Sequence, residues 1–126
     1  MLGKDITNFF ATTKKYKVFG IYRDKNNRLP FDNTHTINID VTDSFAFSKC
    51  LKEINPEIII HCAALVNVDT CEQEKDYALQ LHSEIIKLIP IHAPASKLIY
   101  ISTDSVFDGV QGGYTESDIP NPVNYY

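Results

Sequence analysis

Glu57-Ile58-Ile59-Ile60-His61-Cys62-Ala63-Ala64 is an apolar run that neither alternates with polar residues nor repeats at helical spacing. Pro56 stands before it and stops whatever helix precedes it. An uninterrupted β-branched run of this kind reads as a strand covered on both faces, as in a parallel sheet flanked by helices. It ends in Cys62-Ala63-Ala64, small side chains that let a ligand approach the backbone at the carboxyl end of the strand. Close packing of the turn alone would select the same residues.

Working outward, the same alternation of strand and helix signals recurs. Upstream, Thr42 or Asp43 can cap a helix running to about Ile54, with Phe45, Phe47 and Leu51 on its apolar face. Before it come a short strand from Thr36 to Asp40, a loop over residues 24–35 rich in Asn and Pro, and a strand from Lys17 to Tyr22. Residues 3–13 carry Ile6, Phe9, Phe10 and Ala11 at helical spacing. Downstream, residues 68–89 read as a helix with Ala78, Leu81, Ile85 and Leu88 as the buried stripe, ended by Pro90 and Pro94. Lys97 to Ser102 reads as a second buried strand, and residues 105–126 as loop. The pattern predicts an α/β fold, a sheet with crossover helices. Parallel strands need helical crossovers, so the first helix calls for a strand before it, and that strand is expected upstream of Met1.

Composition narrows the functional classes. The chain has 126 residues, 44% hydrophobic and 22% charged, with a formal net charge of −4. That suits one core and excludes two. Without a basic tract, nucleic-acid binding lacks its electrostatic footprint. The longest apolar run falls far short of the ~20 residues that span a bilayer. Lys4 and Asp5 interrupt any leader. The expectation is a cytoplasmic protein with no membrane partner. Cys50, Cys62 and Cys71 are odd in number and, like the four histidines, lack metal-ligand spacing, so neither a disulfide framework nor a metal site is expected.

The motif richest in chemistry is Ile101-Ser102-Thr103-Asp104-Ser105-Val106-Phe107-Asp108-Gly109. Its hydroxyls follow a central strand at the end where α/β sheets bind ligands. Tyr126 lies 23 residues beyond Thr103, far enough to return to the same crevice. With Met1-Leu2-Gly3, the Asp40 strand end and the stretch from Pro56 to Asp69 followed by Cys71-Glu72, these motifs occur in an order that resembles an extended short-chain dehydrogenase/reductase, and most of all the dTDP-4-dehydrorhamnose reductase family. The resemblance covers nearly all the chain.

That resemblance implies a Rossmann-like doubly wound parallel sheet, a partial NAD(P)-binding domain over residues 1–126, truncated at both ends and lacking the central first strand and the C-terminal substrate domain. It implies NADPH as cofactor, with NADH as the alternative, and a nucleotide-sugar substrate reduced at a 4-keto carbon. Gly3 would be the last glycine of the phosphate turn, with the helix behind it facing the pyrophosphate. Arg23 would meet a 2′-phosphate, although Asp24 is its neighbour. Asp40 and Val41 would border the adenine, and Ala63, Ala64, Leu65 and Ser102 the cofactor's middle. Thr103 and Tyr126 match the catalytic hydroxyl and tyrosine, and the lysine that completes the group would lie four residues beyond Tyr126. Asp104, Val106 and Phe107 would edge the sugar pocket. A homodimer of the full-length parent is left open. Two positions depart from the family pattern: Ser105 stands for a tyrosine, and His82 for a helix asparagine. Tyr125 precedes Tyr126, so a register shifted by one is the alternative. The motifs are shared by the regulatory subunit of methionine adenosyltransferase, a non-catalytic binding module, and a non-functional remnant is the third reading. Without the central strand, residues 1–126 by themselves are expected neither to fold stably nor to turn over substrate.

Overall fold

In the computed structural model, which describes residues 2–24 and 33–126, helix α1 (Leu2–Thr13) leads into strand β1 (Val18–Tyr22). β2 (Thr34–Asn38) pairs in parallel with β1, Val18 opposite Thr34 and Tyr22 opposite Asn38. The strand therefore starts and stops two residues earlier than the sequence suggests. Asn33 adopts a left-handed φ of 63° before the strand. At its end the Asn38 amide donates to the Tyr22 and Arg23 carbonyls at 3.0 and 2.7 Å, closing the pair. Of the loop expected over residues 24–35, residues 25–32 lie outside the described residues, and Thr34 and His35 belong to β2.

Helix α2 (Ser44–Ile54) forms as its signals require. Asp43 Oδ1 accepts the Ala46 amide at 3.0 Å, and Asn55, left-handed at φ 46°, closes the other end by donating to the Leu51 carbonyl. The strand β3 (Ile58–His61) follows, paired in parallel with β4 (Lys97–Tyr100). The single helix expected over residues 68–89 is instead a series. α3 (Val68–Gln73) breaks at Glu74, α4 (Lys75–Leu79) passes into a π-helical turn over Gln80–Glu84, and α5 (Ile85–His92) completes it. Pro90 does not end the helix. It stands inside α5, near its end, although an interior proline loses its donor and crowds the carbonyl four residues earlier. The chain leaves the helix at Ala93, where φ is −142°.

Phe47 and Leu51 of α2 meet Leu81, Ile85 and Ile89 in the core, and Ile21, Ile59 and Leu98 from three strands pack onto that cluster. One helical layer thus spans two separate two-stranded parallel sheets. Among the described residues no strand joins β1 to β3, and that gap is where the doubly wound order places its first strand. β3 and β4 are consequently less covered than expected: Ile58 and Ile99 are 47% and 40% exposed, while Ile59 and Leu98 meet the core. Among the described residues no helix is long and apolar enough to cross a membrane.

Candidate active site

The carboxyl ends of the strands gather most of the expected site residues. The first turn of α1 leans on the end of β3: a Cβ at Gly3 would lie 3.3 Å from Cys62 Cβ and 4.0 Å from its Sγ. That close approach favours glycine, since a side chain there would need Cys62 to give by a few tenths of an ångström. Ala63 and Ala64 lie exposed beyond Cys62, and Leu65 turns half-inward onto the core. Asp40 ties its own turn, Oδ1 accepting from the Thr42 amide at 3.0 Å and the Thr42 hydroxyl at 2.7 Å. Val41 packs on the core cluster beside it.

Arg23, at the end of β1, is not a free surface cation. Its guanidinium donates to the Tyr77 hydroxyl and lies 5.7 Å from the Tyr77 ring centroid. Burial pushes the Tyr77 phenol up, against the nearby Arg23 charge. A fixed positive charge therefore stands at the end of β1, held from α4, a partner that sequence reasoning missed because the two residues are 54 positions apart.

Ser102 is exposed just past β4. Thr103 Oγ1 caps the short 3-10 turn Asp104–Val106, accepting from the Ser105 amide at 3.2 Å and donating to Asp104 Oδ1 at 3.3 Å. The Val106 carbonyl accepts from the Asn121 amide at 2.9 Å, and Phe107 stacks on Tyr114 with ring centroids 4.5 Å apart. Asp108, not singled out from sequence, organises this segment. It accepts from the Tyr114 hydroxyl, from the Val110 amide at 3.0 Å and from the Asn121 side-chain amide at 3.0 Å, which together hold its pKa down at about 2. Aspartate before glycine reads locally as a turn, so only the bonds to Tyr114 and Asn121 reveal the larger role.

Tyr126 returns to the end of the β3–β4 pair, where its ring meets His82 edge-on at 5.7 Å. Its amide donates to Asn124 Oδ1 at 3.1 Å, while Tyr125 is drawn away, its amide on Glu72 and its ring 4.6 Å from the Lys75 ammonium. Thr103 is bonded within its own turn, while Tyr126 is held by its amide on Asn124 and its ring against His82.

The family profile described as the RmlD substrate binding domain matches residues 1–126. Methionine adenosyltransferase 2 subunit beta from Bos taurus is 40% identical over 90 residues, 70% of this chain and 27% of that protein. A hypothetical dTDP-4-dehydrorhamnose reductase from Sulfolobus tokodaii superposes with a TM-score of 0.83 at 32% identity, over 98% of this chain and 44% of that one. A dTDP-4-dehydrorhamnose reductase from Bacillus anthracis, solved in complex with NADP, gives a TM-score of 0.66 at 35% identity, over 74% of this chain and 35% of its own. The chain thus spans about a quarter of the curated relative and less than half of either solved structure.

Proposed function

The chain belongs to the RmlD substrate binding domain family, and from that membership we propose that the full-length protein reduces a 4-keto-6-deoxysugar nucleotide, of the dTDP-4-dehydrorhamnose type, with NADPH. The observation that carries this reading is the contact of Gly3 with Cys62, which sets a helix start against the exposed Ala63-Ala64 backbone at a strand end. A dinucleotide fits such a cradle: the α1 amides face its pyrophosphate, and the lack of bulk lets the chain approach it. Gly3, Asp40, Val41, Ala63, Ala64, Leu65 and Ser102 would hold it. Arg23, fixed by Tyr77, supports a 2′-phosphate and hence NADPH over NADH.

When bound, the nicotinamide supplies a hydride to the sugar carbonyl carbon. The Tyr126 phenol donates its proton to the carbonyl oxygen as that oxygen gains charge. The Thr103 hydroxyl swings from its 3.3 Å bond with Asp104 to donate to the same oxygen. Asp104, Val106 and Phe107 border the sugar, in a segment steadied by Asp108. A homodimer of the full-length protein is part of this proposal.

The test is NADPH oxidation by the full-length protein on adding a dTDP-4-keto-6-deoxyhexose. Tyr126→Phe should lower kcat by about 10²–10⁴-fold while leaving NADPH binding intact. Absence of oxidation with every 4-keto sugar nucleotide tried sinks the proposal. The likeness to methionine adenosyltransferase 2 subunit beta supports a second reading, a non-catalytic regulatory subunit. That reading requires co-purification with a methionine adenosyltransferase and a change in its turnover without NADPH consumption.

A further inference from the structure

His82 sits in the π-helical turn Gln80–Glu84, and three parts of the molecule converge on it. Its Nε2 accepts the Leu65 amide at 2.9 Å, so the turn after β3 is tied to this helix. Its carbonyl accepts the Tyr100 hydroxyl at 3.1 Å, which ties in the end of β4. Its ring meets the edge of Tyr126. A regular helix spends each interior carbonyl on the amide four residues on. The widened turn leaves the His82 carbonyl accessible to Tyr100, consistent with such turns marking functional positions.

We infer that His82 is a positioning residue, which joins the Cys62–Leu65 turn to Tyr126 as a neutral acceptor and releases that turn when it is protonated. Accepting at Nε2 requires the ring proton on Nδ1, and a second proton turns the acceptor into a donor facing a donor. Burial holds the His82 pKa below its ordinary 6.5. The groups facing it are His61 from β3, Tyr100 from β4, Tyr126 from the C-terminal segment, and Cys71 of α3, whose thiol donates to the Leu65 carbonyl at 3.1 Å. On its own helix, Glu84 and Lys87 pair with each other at 2.6 Å. None of the facing side chains is a carboxylate that would favour the imidazolium. The sign follows: the folded pKa is depressed, so the tie is complete above about pH 6.5 and is lost as pH falls through the folded value.

The inference rests on the reductase reading only in taking the turn and Tyr126 as the reacting surface. The experiment measures amide exchange at Leu65, and NADPH affinity in parallel, on the full-length protein between pH 7.5 and 5.5. In the parent the Leu65 protection factor should fall about tenfold across that range, and NADPH affinity should fall with it. His82→Gln, whose amide oxygen reaches as Nε2 does and does not titrate, should hold both nearly flat. His82→Phe, which keeps the ring and removes the acceptor, should leave Leu65 unprotected at both ends of the range. Identical pH profiles for the parent and His82→Gln, or full protection in His82→Phe, overturn the inference. Protection that behaves as stated while NADPH binds at no pH upholds the tie and removes the cofactor reading instead.

Discussion

Asp108 shows how much a single side chain can organise beyond its local signal. Its carboxylate joins residues 108, 110, 114 and 121, and its pKa of about 2 lies below the ordinary 3.8. A depressed carboxylate stabilises the fold above the unfolded value and loses that effect as pH falls from about 3.8 towards 2. Asp108→Asn is expected to loosen residues 103–121 at neutral pH and to abolish the acid-sensitive step below pH 4, read by proteolytic cleavage of this segment against pH. Retained resistance in the variant would show that the carboxylate is not the organiser. At this scale the sequence displayed the chemistry but not the partners. Gly3 and Thr103 stand where local spacing puts them, the one at a helix start and the other after a strand. Arg23–Tyr77 and Leu65–His82 are contacts across 54 and 17 positions, and no local pattern encodes them.

Elements whose signals are local were the most legible. Helix α2 has its cap at Asp43, its buried stripe at Phe47 and Leu51, and its close at Asn55, while Phe45, expected in that stripe, is 81% exposed. Asp43→Ala removes the acceptor for the Ala46 amide and should cost about 1 kcal/mol in denaturant unfolding of the full-length protein. Ile85, fully buried where α5 faces α2, should cost about 3 kcal/mol as Ile85→Ala, because the cavity it leaves is walled by Leu51, Leu81 and Ile89. A cost below 1 kcal/mol would mean that this helix pair is not the centre of the core. The run from Val68 to His92 was less legible. Its apolar stripe is continuous, so spacing alone conceals both the break at Glu74 and the π-helical turn. Pro90 misleads for the opposite reason, since a residue that ordinarily breaks a helix lies inside this one, near its end.

For the whole molecule, alternation of signals conveyed the α/β class, while strand burial depended on neighbours that the described residues do not supply. Two strand pairs rest on one helical layer, each with an inner edge unpaired by any described strand. The open edges leave apolar side chains such as Ile58 and Ile99 in water, forgoing burial at about 25 cal/mol per Å², against about 5–15 kcal/mol for a whole domain. Residues 1–126 expressed by themselves are therefore expected to give no cooperative thermal melt by circular dichroism, and a sharp melt would refute this. The pinch between α1 and the β3 end has its own consequence. Burial pushes the Cys62 thiol up, so it reacts slowly, yet it stands only partly covered beside Gly3. An alkylating reagent that captures it would drive a wedge under the helix, and on the proposed reading a seated dinucleotide would shield it. The rate of that labelling would then gauge occupancy from within the fold.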